Sequence, residues 1–557
     1  MQITTPMETV ADIFRARRND NHPALYFEER CWSGSELYAA CAARASYLQD
    51  KRQEGPFHVG VLLDNVPDHL FWIGACALSG ATYVALNCTR KGADLARDIA
   101  HTECQFVITD EAYRESLPAA VATAQTYRSF VIDEPSDDAR LLAYRDHSPA
   151  DHPSTPDERC CLMFTSGTSG APKAVIYSNR RVMRNSMMLV QGRSLTRQDV
   201  AYVPMPLFHS SGLILGVLPA LIAGGATVLR RRFSASGFLA DVRRYGVTTF
   251  CYVGKPLAYI LATEEKDDDH DNSLRLSYGS EAPEADIAAF ARRFGCEVMD
   301  NYGSSEGCIT ILRTPGTPPG SIGTGVSDSI VVMDSETGCE CPRAIFDQRQ
   351  ILQNANEAIG ELVNLEGAAL FEGYWNNPEA DLQRFRGKAY WSGDLAYRDA
   401  AGFFYFAGRT SEWLRVDGEN LACVQIEQVL ARHPLVSVAA VYGVPDPLVG
   451  DRVMAALQLR PGARLDLEEF RHFLGHEPDF SPKWMPAFVR ISAAIPLTPS
   501  NKVLKKVLAQ EAWNCADPVW WRAGREDDYR LLQPADAAAL NQALAARGLN
   551  RLLVQGG

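Results

Sequence analysis

The stretch from Met163 to Val175, MFTSGTSGAPKAV, constrains this chain more than any other. The apolar run Cys160 to Phe164 reads as a strand that ends in a polar loop. In that loop Thr165, Ser166, Thr168 and Ser169 alternate with Gly167 and Gly170, and Pro172 and Lys173 follow. Glycines let successive backbone N–H groups turn toward an anion, and the hydroxyls and one ammonium complete the donor set that a polyphosphate needs. No GK[ST] follows a first glycine at the P-loop offset, so this is a different kind of phosphate loop. Taken alone, the stretch also reads as a Ser/Gly surface linker. The rest of the chain decides between the two.

At 557 residues the chain is too long for one core, and three or four structural units are expected. A net charge of −13 with mixed signs throughout argues against nucleic acid as a partner. Fourteen cysteines without a CxxC pair read as reduced thiols of a cytoplasmic enzyme. The N-terminus lacks the apolar core of a signal peptide. The long apolar segment from Phe208 to Leu229 is divided by Pro219 and Gly224-Gly225 into a helix and a strand, so no transmembrane span is expected.

Helix and strand alternate from residue 8 to 150 and again from 201 to 253, the rhythm of a doubly wound parallel sheet repeated. The acidic run at 264 to 271 reads as a solvated loop. From Gly320 to Gly402 short strands between Gly and Pro suggest an antiparallel, barrel-like subdomain. The pattern changes again after Gly408-Arg409-Thr410-Ser411. The expected fold is α/β: two stacked doubly wound units plus a small β-barrel-like subdomain over 1–409, then a mobile small α+β domain over 410–557. The Trp-containing tail reads as a packed appendage.

Five further stretches follow in order: Tyr278-Gly279-Ser280-Glu281 with Asn301-Tyr302-Gly303-Ser304-Ser305-Glu306-Gly307; Gly360-Glu361-Leu362 with Gly373-Tyr374-Trp375-Asn376; Tyr390-Trp391-Ser392-Gly393-Asp394 with Gly408-Arg409; Gly418-Glu419-Asn420 with Ile426-Glu427; and Pro496-Leu497-Thr498-Pro499-Ser500-Asn501-Lys502. In this order and spacing the set resembles the signature motifs of the adenylate-forming superfamily of acyl- and aryl-CoA synthetases, adenylation domains and luciferases. Within it, Asn87 to Arg90, FHSSG at 208 to 212 and the long tail are most similar to the fatty-acid-transport-type and very-long-chain or steroid acyl-CoA synthetases.

The resemblance implies a ligase that uses ATP, Mg²⁺ and coenzyme A on a bulky hydrophobic carboxylic acid, through an acyl-adenylate. It implies that Thr165 to Gly170 and Lys173 hold the outer phosphates, that Glu306 holds Mg²⁺, and that Ser305 bonds the α-phosphate or the acid. Ser280, Glu281, Asn301 and Gly303 belong to the nucleotide site, Tyr302 stacks on adenine, and Asp394 and Arg409 hold the ribose. Lys502 bridges carboxylate and α-phosphate, His209 borders the acyl pocket, Ser411 is the hinge, and Gly418 lines the coenzyme A tunnel.

Four positions depart from the family pattern: Ala174 and Asn501 stand where glycine is usual, Ser411 replaces a charged hinge residue, and Asp417 precedes the tunnel glycine. The expectation is a complete ligase. The alternatives are an enzyme that only converts an adenylate supplied by a partner enzyme, one that loads a carrier protein, and a silent acyl or nucleotide binder. A homodimer and peripheral attachment to a membrane surface stay open.

Overall fold

The computed structural model of the chain describes residues 7–117, 128–132, 135–165, 173–314, 316–348, 352–409, 413–416, 419–446, 450–478, 480–498, 501–522, 524 and 528–546. The first sheet has six strands, in spatial order Arg128–Val131, Cys104–Thr109, His58–Leu62, Thr82–Ala85, Arg159–Thr165 and Lys173–Ser178. All neighbours are parallel except the last pair. His58–Leu62 is buried along its whole length, as an apolar strand covered on both faces must be. The helix Pro67–Ser79 starts on a proline that needs no N–H partner and ends at Gly80, whose φ of 77° closes the last turn. Almost all of it is buried, which fits its lack of a polar face.

The second sheet has seven strands: Glu297–Asp300, Leu276–Ser280, Thr249–Val253, Val200–Val203, Ala226–Leu229, Pro23–Phe27 and Arg30–Ser33. The last two add strands from early in the chain to the second of the two units. A hairpin from the start of the chain crosses to the second sheet, where Leu25 pairs with Thr227 and Tyr26 with Val228. Local patterning shows strands but not their distant partners, and this exchange has no local signature.

The apolar segment divides as expected, into a short turn, a π-type turn Leu213–Val217, a helix Leu218–Ile222 and the strand Ala226–Leu229. Among the described residues no helix is long and apolar enough to cross a membrane. The acidic run is solvated except at one position. Asp269 is buried and ion-paired to the equally buried Arg293 at 2.6 Å, which ties the loop to the helix Glu284–Phe294.

An antiparallel sheet follows, ordered Ile330–Met333, Gly360–Asn364, Ala389–Arg398 and Phe385–Arg386, with Phe404–Arg409 also paired to Ala389–Arg398. Residues 410–412, where the chain was expected to hinge, lie outside the described residues. Beyond them a seven-stranded mixed sheet is built around the hairpin Val436–Asp446 and Gly450–Leu459, with separate apolar cores on its faces. The tail is packed, as expected, and forms part of this sheet. Val519–Trp521 and Arg530–Leu531 add strands to this sheet, and Phe488 stacks with Trp513 at 4.9 Å and Trp521 at 6.0 Å. Aromatic area of that size contributes to the core on which Lys502 is mounted.

Candidate functional site

A cleft of about 2260 Å³ runs between the two sheets' strand ends and the C-terminal region. Arg159–Thr165 and Lys173–Ser178 form a hairpin with Thr165 opposite Lys173, so both ends of the polar loop are pinned by a ladder. Ser166, Gly167, Thr168, Ser169 and Gly170 lie outside the described residues. Lys173 Nζ stands 3.4 Å from Gln383 Oε1 and 5.2 Å from the Tyr374 ring centroid. Burial and the nearby Arg384 lower its pKa, and Glu306 and Asp381 pull the other way. An ammonium held among opposing charges at the mouth of the loop is placed to meet an anion.

Ala174, one of the departures, is fully buried on the regular strand Lys173–Ser178. It belongs to one apolar cluster with Leu62, Val84 and Leu162, and its carbonyl accepts the Trp375 N–H at 2.8 Å. The extra methyl is thus absorbed by the core.

Glu306 is buried and accepts the Tyr374 hydroxyl at 2.9 Å. The Ser305 carbonyl next to it accepts Tyr177 Oη and Arg181 Nη2, both at 2.6 Å, which fixes the turn carrying the two residues. Tyr177 comes from the same strand as Lys173, so one strand positions both groups. Asp394 is buried, and the Tyr302 hydroxyl donates to its carboxylate. Its strand is held by Ser392 Oγ, which accepts Asp394 N–H at 3.0 Å, and by Glu361 Oε1, which accepts Gly393 N–H at 2.6 Å. Arg409 pairs with Asp394 across the strands, its side chain lying outside the described residues. Gly303 pairs with Thr310, and Asn301 Oδ1 accepts the Arg313 N–H at 3.2 Å.

Lys502 arrives from the C-terminal region. Its Nζ forms an ion pair with Glu281, and its N–H donates to Thr498 Oγ1 at 3.0 Å. The residue before it, Asn501, has φ 61°. That left-handed backbone is why glycine suits the position and why asparagine replaces it at the smallest cost. Asn501 also presses its backbone against Gly254: a Cβ there would come within 2.5 Å of Asn501 O. Ser280, whose carbonyl accepts the Gly254 N–H at 3.0 Å, braces the same corner. His209 caps the turn Ser210–Gly212, its Nδ1 2.8 Å from Ser211 Oγ. Burial, and secondarily the cation of Lys502, push its pKa down to about 4. Ser411 and Gly418, and Asp417 beside the latter, fall outside the described residues.

Four groups of the cleft were not singled out from sequence. Tyr374 lies inside a quoted motif, but its bond to Glu306 is not legible there. Arg384 donates to Ser392 O at 2.6 Å, and Glu361 braces Gly393. Asp300 is buried under Tyr252 Oη and Ala282 N–H at 2.9 and 3.0 Å; burial lifts its pKa to about 6 against those two donors. Among the described residues no three His, Cys, Asp or Glu side chains cluster as a metal site. A single buried carboxylate, Glu306, does fit a Mg²⁺ that arrives on a polyphosphate, because such an ion takes one or two carboxylates and keeps phosphate and water as its other ligands.

Residues 14–375 match the family of AMP-binding enzymes, and residues 425–502 match the C-terminal domain of those enzymes. The chain is 42% identical over 547 residues to steroid-22-oyl-CoA synthetase of Rhodococcus jostii, covering 98% of this chain and 99% of that one. It is 45% identical over 519 residues to the medium/long-chain-fatty-acid–CoA ligase FadD17 of Mycobacterium tuberculosis, covering 93% and 99%. Its fold matches a benzoate CoA ligase from Burkholderia xenovorans with a TM-score of 0.77 at 21% identity, over 90% of this chain and 99% of that one.

Proposed function

The chain belongs to the AMP-binding enzyme family and is an acyl-CoA ligase, and we propose that its acid is bulky and hydrophobic, a steroid side chain or a long fatty acid. The ligase chemistry is carried by the reach of Lys502 from the C-terminal region into the cleft that also holds Glu306 and Asp394, and the class of acid by the likeness to the steroid and fatty-acid ligases.

A carboxylate resists nucleophiles until one oxygen is given a good leaving group. In the first half-reaction a carboxylate oxygen bonds to the α-phosphorus of ATP, the bond to the β-phosphate bridging oxygen breaks, and pyrophosphate leaves. Several anions then crowd one site, so fixed cations and N–H donors must offset them. Lys173 and the loop Thr165 to Gly170 take the outer phosphates, Glu306 takes Mg²⁺, and Ser305 takes the α-phosphate. Mg²⁺ supplies charge neutralisation there. Tyr302, Ser280, Glu281, Asn301 and Gly303 frame adenine, while Asp394 and Arg409 hold the ribose hydroxyls.

Lys502 bridges the acid and the α-phosphate. In the structure Glu281 is its counter-ion. The incoming carboxylate substitutes for Glu281, so the ammonium changes partner without crossing an uncompensated state. His209, neutral above about pH 4, adds no second cation and leaves that role to Lys502. In the second half-reaction the C-terminal domain swings about Ser411, the Gly418 loop lines the thiol path, the thiolate attacks the acyl carbon, and AMP departs.

The test is a divided assay. Pyrophosphate release with ATP and a panel of hydrophobic acids, and acyl-CoA formation from synthetic acyl-adenylates, are both expected. Thioester formation from supplied adenylate alone would reject this reading in favour of a partner that adenylates. Transfer to a phosphopantetheinylated carrier in place of coenzyme A would identify a carrier-loading enzyme.

A further inference from the structure

Several charged groups of the cleft take no part in that chemistry, Arg193 among them. The helix Asn179–Gly192 ends in a Schellman arrangement, with Leu195 N–H donating to Val190 O at 2.9 Å, Ser194 N–H to Gln191 O at 3.3 Å, and Ser194 at φ 49°. Arg193 is the cap residue. Its N–H donates to Leu189 O at 2.9 Å, and its carbonyl accepts both Arg275 Nη groups at 3.4 Å. The backbone of Arg193 is therefore fixed before any ligand binds.

Its side chain is not. Nε is buried without a hydrogen bond, and among the described residues the guanidinium forms no hydrogen bond or ion pair; Tyr278 and Glu297 act on it only at longer range. Among the described residues every other arginine lining the cleft is engaged. Arg90 pairs with Asp98, Arg313 with Glu284 and Arg432 with Glu477, while Arg384 and Arg460 donate to the carbonyls of Ser392 and Pro434. A cation that merely complements a helix C-terminus does so in water. Arg193 instead lines the cleft and is partly desolvated, which is costly unless something accepts its hydrogen bonds.

Part of the cleft wall on the Arg193 side is apolar, although Asn185 and Ser210 line the cleft as well. Leu189 and Leu215 pack on Cys251 and Tyr278. The polar hydrogens of the latter two are spent on Ser211 O at 3.6 Å and Leu215 O at 2.8 Å. A hydrophobic acid whose carboxylate lies near Lys502 and His209 would pass along this wall and end at a guanidinium.

Resting on the ligase reading above, we propose that Arg193 is a specificity-determining residue that donates to an acceptor oxygen, carbonyl or carboxylate, at the end of the acid remote from the carboxylate being activated. The test compares palmitic acid, its analogue with a ketone at the penultimate carbon, and the corresponding dicarboxylic acid, in wild type, Arg193→Met and Arg193→Lys. Wild type should favour one of the oxygenated acids in kcat/KM for pyrophosphate release by about tenfold or more, the worth of a charge-assisted hydrogen bond. Arg193→Met should erase that preference while leaving palmitic acid within about twofold, and Arg193→Lys should restore part of it. An equal loss on all three acids, or a preference unchanged in Arg193→Met, overturns the proposal. Thermal shifts of the same proteins with the same acids read binding without turnover. They judge Arg193 even if no acid releases pyrophosphate, an outcome that would instead strike the ligase reading.

Discussion

The two ends of the cleft are built on opposite terms. At the reactive end charges and strong donors are matched before a substrate arrives: Lys502 with Glu281, Tyr374 with Glu306, Tyr302 with Asp394. At the other end Leu189 and Leu215 pack on Cys251 and Tyr278, whose polar hydrogens go to backbone carbonyls, and among the described residues Arg193 Nε is buried without a hydrogen bond. A prewired reactive end lowers the reorganisation needed during phosphoryl chemistry. An end without such pairs can be reshaped without disturbing that wiring.

The largest effect should come from removing the reactive end's mobile cation. Lys502→Ala is expected to cut pyrophosphate release by about 10³-fold while sparing thioester formation from supplied adenylate. Equal loss of both would erase the contrast. Next, Gly254→Ala adds a methyl where Asn501 O approaches and where φ is 74°. Misplacing Lys502 by about an ångström should cost adenylation roughly 10²-fold, with the second half-reaction again spared. Tyr374→Phe leaves Glu306 without its hydroxyl donor and should cost about tenfold, partly recovered at high Mg²⁺. The smallest effect is an absence. Because the His209 pKa lies near 4, the adenylation rate should show no histidine limb near pH 6.5, and His209→Asn should leave the pH profile between 6 and 8 unchanged. The same shift contributes a rise of stability with pH between about 4 and 6.5, where the unfolded histidine binds more protons than the folded one, and His209→Asn should lessen the slope of an acid-unfolding curve there, His69 keeping a like contribution. A histidine limb in the rate profile would place a second cation at the reactive end.

Legibility in sequence followed the range of the interactions. Ala226–Leu229 and the stop at Gly80 are dictated by nearest neighbours, and the structure has both where periodicity and glycine place them. The motif order located the cleft. What stayed hidden depends on residues far apart: the Lys502–Glu281 pair, the Tyr374 hydroxyl on Glu306, and Asp269 buried in an otherwise solvated acidic run. The four departures divide by the same rule. Asn501 is explained by one backbone angle and Ala174 by core packing, while Ser411 and Asp417 lie where the structure describes nothing.

The hairpin Pro23–Phe27 and Arg30–Ser33 sets an order on the birth of this protein. Synthesised first, it belongs to a sheet whose neighbouring strand, Ala226–Leu229, leaves the ribosome about 200 residues later. Until then its parallel edge has no ladder partner and is open to other strands. The first sheet can close early, but the second is sealed only when the middle of the chain returns to its beginning. Nascent chains halted with residues 226–229 still inside the ribosomal tunnel should therefore depend on chaperones more heavily than those halted after that strand has emerged.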